Sequence, residues 1–290
     1  GAQLVALLAR ADPRFLILAV VINLVLNTGA RIGRRFVVLR AAEPEATLDK
    51  ARVGLAYLAA TAANNLMPAR AGDLLFALEL RRVAGFPLAS ALAGQLFEKV
   101  VEILSLWMLV PLCLLLLDPG PAARSGLTAF FLAGALGLLS LLALRILGEG
   151  LEWSGRAASR LGALKRSLEA AGRIARSATL ARAILWSSAQ DLSDIAMVMS
   201  VARSLGLDVG FGAGLLVYLA VNAASALPGT PGQIGLIEGG AILALTTLAV
   251  PQTAALAFAL LYHAAHLIPL TVIGLGPLMR LRLWNGSGAP

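Results

Sequence analysis

Two segments of this chain set helix-breaking residues between apolar runs: Asn64-Asn65-Leu66-Met67-Pro68-Ala69-Arg70-Ala71-Gly72-Asp73 and Leu227-Pro228-Gly229-Thr230-Pro231-Gly232-Gln233. Proline removes a backbone donor and clashes with the preceding turn, so neither segment continues a helix. In lipid, irregular backbone survives only where protein or a water-filled cavity satisfies its polar groups. The helices that follow the breaks align without gaps. Pro87, Ala91, Leu92, Ala93, Leu96 and Leu106 fall on Pro251, Ala255, Leu256, Ala257, Leu260 and Leu270 in one register. Pro68 falls on Pro228 and Gly72 on Gly232 if a short insertion follows the break. Interrupted apolar segments at corresponding places in two halves point to a binding site near the bilayer midplane. The breaks are marked by Asn65, Pro68, Gly72, Pro228, Pro231 and Gly232.

Composition makes the membrane the expected solvent. Of 290 residues, 59% are hydrophobic and 14% charged, against about 25% charged in soluble domains; the mean hydropathy is +0.83. About 20 apolar residues span a bilayer core, and the candidate crossings are Phe15 to Thr28, Leu88 to Leu117, Leu127 to Leu147, Ala183 to Val201 and Thr253 to Gly276. The apolar runs flanking each break are too short to cross singly and are expected to form re-entrant hairpins. The Phe15 to Leu26 run has the look of a signal-peptide core, but Arg31, Arg34 and Arg35 follow as stop-transfer charges, so it is read as a retained first helix. Cys113 is the single cysteine, which excludes a disulfide framework and a cysteine metal site.

The net charge of +8 does not indicate nucleic acid, because the basic residues are confined to connecting segments. Arg31, Arg34, Arg35, Arg40, Lys50 and Arg52 lie in one, and Arg156, Arg160, Lys165, Arg166, Arg173, Arg176 and Arg182 in another. The positive-inside rule places both in the cytoplasm, where they also attract anionic headgroups. With 31–52 and Arg81-Arg82 on one side, residues 53–80 enter and leave on that side as a hairpin. Counting onward, Phe211 to Leu248 enters from the opposite side, and Arg280 and Arg282 end inside. The expected fold is therefore all-α, a polytopic membrane helix bundle with an inverted repeat and two re-entrant helical hairpins. It is one transmembrane domain over 1–290, with repeat A at about 15–117 and repeat B at about 183–276. Between them, 127–182 supplies a linking crossing and, over Glu149 to Ser177, an interfacial helix.

Charges within the crossings mark the site. With Pro87 at the start of its crossing and about 1.5 Å per residue, Glu98 and Lys99 stand roughly 16 Å deeper, near the midplane. Glu98 and Glu102 share a helical face. Each central charge costs about 2.5–3.5 kcal/mol on insertion scales, so three on one helix require partners or water. A structural ion cluster, with Lys99 neutralising a glutamate, and a polar transport cavity both meet that requirement. The equivalent positions on the last crossing are Tyr262, His263 and His266. Two histidines at this spacing suit a metal, but no HExxH pattern or third ligand accompanies them; no metal or other cofactor is expected. A titratable role facing the cavity and plain packing are both open.

Arg70 follows the first break, with Asp73 near the start of the next helix. A guanidinium grips phosphate with a bidentate fork, and helix N-termini after the breaks add free amide donors. Gly72 and Gly232 keep the backbone approachable, although turn formation alone also selects glycine. Glu238, Asp191 and Asp194 suit proton coupling or recognition of a cationic group, or else pair with Arg70 and Lys99.

At these residues the chain resembles the transmembrane region of lysylphosphatidylglycerol synthases and related flippase-like membrane proteins. The family carries Pro-x-Arg-x-Gly-acid, here Pro68 to Asp73, then an acid-basic pair with a further acid, here Glu98-Lys99 and Glu102. Its second half carries Pro-x-x-Pro-Gly-x-x-Gly-x-x-Glu, here Pro228 to Glu238. Lys99 and Glu102 stand where Arg and Asp are expected, and His263 where the second half often has Arg. These departures keep the cavity polar but leave the headgroup undefined, since lysine lacks arginine's fork. No soluble aminoacyltransferase domain is expected after Trp284, and on that expectation the resemblance implies the translocating half alone.

The expected activity is that of a lipid flippase. A phospholipid or other lipid-phosphate headgroup would move between leaflets by alternating access at a midplane cavity. Arg70 and Lys99 would bind phosphate; Asp73, Glu98, Glu102, Glu238, His263, His266, Asp191 and Asp194 would line, tune or couple the site. No catalytic residue is assigned and no enzymatic activity is expected. The alternatives are an intramembrane enzyme acting on a lipid phosphate or polyprenyl carrier, with His263 or His266 as acid or base but no GxSxG nucleophile, and a non-transporting scaffold. The expected location is the bacterial cytoplasmic membrane, with the basic loops and C-terminus cytoplasmic. The expected partner is membrane lipid and not nucleic acid, and a homodimer is compatible with the sequence.

Overall fold

Apolar residues dominate every long segment, and the backbone satisfies itself within helices accordingly. The computed structural model describes residues 1–67, 71–118, 120–149, 177–227 and 230–285. Among these residues all regular structure is helical. A short α1 (Ala2–Ala9) precedes α2 (Pro13–Ala42), which is continuous over 30 residues. Then come α3 (Lys50–Leu66), α4 (Ala71–Ala84), α5 (Leu88–Leu116) and α6 (Gly120–Glu149). The second half contains α7 (Ser177–Ser204), α8 (Phe211–Ser225), α9 (Leu236–Thr247) and α10 (Gln252–Asn285). Among the described residues three stretches, Pro13–Ala42, Leu88–Leu116 and Gln252–Arg280, are long and apolar enough to cross a membrane.

Each half thus runs long helix, half-length helix, break, half-length helix, long helix. The half-length partners pack side by side, α3 on α4 and α8 on α9. Both pairs close on a glycine. A β-carbon on Gly72 would stand 1.9 Å from the Ala60 carbonyl oxygen, and one on Gly240 would stand 2.7 Å from that of Ala220. Close approach of two backbones is what these positions require.

The surface is inverted relative to a soluble protein. Leu115 is 82% exposed, and Ile17, Leu96 and Val272 also face outward, whereas Arg34 is 2% exposed. Such an apolar exterior belongs in lipid. Inside, among the described residues, a small apolar core of Ala59, Ala62, Ala63 and Leu278 accompanies two large ones. One gathers residues mainly of α7, α8, α9 and α10, including Ile195, Tyr218, Leu245 and Phe258. The other gathers residues mainly of α2, α3, α4 and α5, including Leu39, Val53, Phe76 and Phe86.

Helix α2 corrects the expected end of the first crossing. Phe15 to Thr28 was expected to cross and 31–52 to be a basic cytoplasmic loop. Instead the helix continues to Ala42, and Arg34 and Arg35 are buried within it. Counting arginines fails here because the helix spends its charges inward, on carboxylates of other helices. The segment 150–176, which holds the expected interfacial helix and Arg156, Arg160, Lys165, Arg166, Arg173 and Arg176, lies outside the described residues, as do Pro68, Arg70 and Pro228.

The middle of α2 widens into a π-type turn over Ile22–Asn27, a distortion frequent at functional sites. There the Thr28 hydroxyl donates to the Asn23 carbonyl at 2.9 Å. The Asn23 amide reaches α10, donating to the carbonyls of Ala265 at 3.1 Å and His266 at 3.0 Å. Pro269 lies within α10 and has no N–H to offer the Ala265 carbonyl four residues back. Asn23 supplies that missing donor, tying α2 to α10 beside the polar interior.

Candidate functional site

Between the two halves lies a cavity of about 730 Å³, within the range of roughly 300–1,000 Å³ typical of small-molecule sites. Its wall draws on α2 (Arg31, Arg34, Arg35), α3 (Asn64, Asn65), α5 (Gln95, Glu98, Lys99, Glu102), the second break (Thr230, Gly232, Gln233) and α10 (His263, His266).

The charges form short chains rather than a diffuse pool. Arg34 donates to the Glu102 carboxylate and, at 2.8 Å, to the Ser187 hydroxyl. Lys99 Nζ donates to the other Glu102 oxygen at 2.6 Å. Arg35 Nε bridges both Glu98 oxygens at 3.1 and 3.0 Å, while its guanidinium lies over the rings of Phe76 at 4.5 Å and Tyr57 at 5.2 Å. Stacking on two rings suits the flat, weakly hydrated guanidinium. Arg31 forms a looser ion pair with Asp194 at 3.7 Å and donates from Nε to Asn27 Oδ1 at 2.8 Å. Lys99 is the most open of these cations, its side chain 41% exposed. Arg34 Nε, Gln95 Oε1 and His266 Nδ1 are buried without a hydrogen-bond partner, leaving unspent donors and acceptors in the cavity wall.

The breaks are secured by amides. At the first, Asn64 Nδ2 donates to Asp73 at 3.0 Å while its Oδ1 receives the Gly72 N–H at 2.8 Å, satisfying an orphan donor of the α4 N-terminus. Gln95 donates to the Asp73 carbonyl at 3.1 Å. Asn65 donates to the Thr271 hydroxyl of α10 at 2.8 Å. At the second, Pro231–Gln233 makes a single tight turn that packs against α3. Gly232 there has φ 65° and Gly235 φ 93°, a region where glycine carries no steric cost. Gln233 donates to the Ser225 carbonyl at 3.0 Å. Glu238 Oε2 accepts the Gly235 N–H at 2.8 Å and its Oε1 meets His263 Nδ1 at 2.6 Å. His263 Nε2 meets the Gly232 carbonyl at 2.9 Å.

Of the residues expected at the site, Asp73, Glu98, Lys99, Glu102, His263 and His266 line one cavity. Glu238, Asp191 and Asp194 are not among its lining residues. Glu238 stands behind His263. Asp191 accepts from the Ser105 and Tyr218 hydroxyls and so braces α5 and α8 against α7. Asp194 serves Arg31. The alternative pairing of these carboxylates with Lys99 is therefore corrected: Lys99 pairs with Glu102. Sequence reasoning missed Arg31, Arg34, Arg35, Asn64, Gln95 and Gln233. A signal existed for the first group, because Asn23, Asn27, Arg31 and Arg34 recur at helical spacing as one polar stripe in an otherwise apolar run.

Buried arginines, an outward apolar belt and a shared polar chamber define an integral membrane protein with a charged cavity between its two halves. The family model for the lysylphosphatidylglycerol synthase transmembrane region matches residues 1–274, and the chain belongs to that family. Comparison with curated proteins and with solved structures gives no match.

Proposed function

We propose that this protein moves a lipid headgroup between the two leaflets, carrying it through the cavity between the breaks. The observation that supports this most is the convergence of residues beside both breaks and of the long helices α2, α5 and α10 on one charged cavity of about 730 Å³. A merely structural ion cluster has no use for such space. Membership of a family concerned with a phospholipid headgroup points the same way. We read the two halves as oppositely inserted repeats and their half-length helix pairs as re-entrant hairpins, an arrangement suited to alternating access.

In this reading the headgroup meets Lys99, the accessible cation, with Arg70 completing the phosphate grip. Arg34 and Arg35 are already held by Glu102 and Glu98; they set the shape and potential of the wall. Asn64, Gln95 and Gln233 supply neutral hydrogen bonds. Among the described residues of this wall, Arg31, Arg34, Arg35 and Lys99 stand with Asp73, Glu98 and Glu102, a mixture that favours a headgroup bearing both charges, or an anion accompanied by a proton, over a bare polyanion. The protein leaves its substrate chemically unchanged.

The test is leaflet-resolved translocation of labelled phospholipids in vesicles containing the purified protein. Transport is expected above the protein-free rate and is expected to fall to that rate in an Arg70→Ala, Lys99→Ala double variant. Undiminished transport by that variant removes this role for the pair. A mass change in lipids recovered from the vesicles would instead favour an intramembrane enzyme.

A further inference from the structure

The hydrogen bonds around His263 determine how many protons the second break holds. The Gly232 carbonyl only accepts, so His263 Nε2, 2.9 Å away, must carry a hydrogen. The other nitrogen faces a Glu238 oxygen at 2.6 Å, and two lone pairs do not share that distance. One further proton therefore lies between Nδ1 and Oε1. Whether it resides on the ring or on the carboxyl, imidazole and carboxylate together hold one dissociable proton. If it departs, His263 keeps a single hydrogen. Placed on Nε2, this hydrogen leaves Nδ1 and Oε1 in repulsion; placed on Nδ1, it leaves the Gly232 carbonyl without its donor.

We propose that Glu238 and His263 form a proton-binding site whose occupancy latches the second break. With the proton bound, three points are joined: the Gly235 N–H at the start of α9, held by Glu238; the ring on α10; and the Gly232 carbonyl in the break itself. Loss of the proton to the cavity frees the Gly232 end, and among the described residues no other hydrogen bond joins that carbonyl to α10. Gln233, a residue other than glycine, has positive φ, so the turn holds a strained residue beside the Gly232 carbonyl. The site exists independently of lipid transport, but its use in coupling proton movement to headgroup movement rests on the transport reading above.

The surroundings give the proton a route. His263 lines the cavity, together with His266 one turn along α10, Arg31 from α2, Asp73 from α4, and Glu98, Lys99 and Glu102 from α5. Arg34 and Arg35 also belong to this wall, Tyr57 enters from α3, and α8 and the break contribute only neutral groups to it. Tyr262 stacks against His266, and Asp194 lies behind Arg31.

Nuclear magnetic resonance of the full chain in lipid nanodiscs tests this without any transport measurement. The chain has two histidines, so a His266→Asn variant identifies the His263 ring nitrogens by subtraction. Glycine labelled at its carbonyl and glutamine at its amide nitrogen mark two linked pairs, Gly94–Gln95 in helix α5 and Gly232–Gln233 in the break. We expect the His263 ring and the Gly232–Gln233 signal to move together at one pH midpoint while Gly94–Gln95 stays still. In Glu238→Gln that midpoint changes. In His263→Arg, where the donor is permanently charged and able to reach both carboxylate and carbonyl, the Gly232–Gln233 signal becomes independent of pH. A Gly232–Gln233 signal that ignores His263 titration, or a midpoint unchanged in Glu238→Gln, overturns the proposal. Either result leaves the headgroup-transport reading to stand or fall on its own vesicle assay.

Discussion

Arg35 and Lys99 show that two cations facing one cavity need not do the same work. Arg35 is buried, pairs with Glu98 at 2.9 Å and covers two aromatic rings. Removing its partner strands a charge away from water, a loss of about 3–5 kcal/mol in buried pairs. Glu98→Ala should therefore lower the thermal unfolding midpoint in detergent markedly and reduce the yield of folded protein. Lys99 pairs with Glu102 at 2.6 Å but is substantially exposed, and exposed pairs contribute about 0–1 kcal/mol. Lys99→Ala should leave that midpoint nearly unchanged while translocation in vesicles falls. Equal destabilisation by the two substitutions would contradict this division. The sequence singled out Lys99 and Glu98 from their depth in an apolar run. It did not show that Glu98 is spoken for, because its partner comes from a helix sixty-odd residues earlier in the chain.

At the scale of elements, the stability of the assembly depends on repairing broken helices from outside. Pro269 deprives the Ala265 carbonyl of its helical donor, and Asn23 of α2 replaces it. Asn23→Ala should cost about 1–3 kcal/mol, the penalty of a buried polar group left unpaired. Pro269→Ala restores an N–H within α10, so adding it should recover most of that loss. A double-mutant cycle by thermal or denaturant unfolding reads the coupling directly; strictly additive effects would show that the Asn23 contact is incidental. Proline and asparagine were each visible in the chain, but their complementarity was not. The same applies to the breaks. Their positions were legible from Pro231, Gly232 and the Asn64-Asn65 pair, whereas the reasons for the glycines differ. Gly72 sits where α4 touches the Ala60 carbonyl, and Gly232 where the backbone needs positive φ. Sequence alone offered both explanations for both residues.

For the whole molecule, the proposed alternating access would require the tips formed by the two breaks to shift against the long helices. The first tip is tied to α10 by the Asn65 to Thr271 hydrogen bond at 2.8 Å. Cysteines at these two positions, in a background where Cys113 is serine, bring two thiols within reach of a short bifunctional thiol reagent. Crosslinking is expected to bring translocation down to the protein-free rate, and a cleavable linker to restore it on reduction. Transport that persists through complete crosslinking would mean that this tip stays fixed to α10 while lipid moves.

The sequence by itself determined the solvent, the helical class, the two breaks and their repetition. Each of these follows from local chemistry: apolar run length, proline's missing donor, and the ordered recurrence of both. The tertiary structure alone decided where the charges go. Arg31, Arg34 and Arg35 read as a cytoplasmic loop when counted along the chain, yet the first helix runs on and turns these charges inward, Arg34 and Arg35 being buried outright. A charge at membrane depth requires a partner or water, and these arginines find theirs on helices far along the chain, Glu98 and Glu102 on α5 and Asp194 on α7, which only the packed structure brings beside α2.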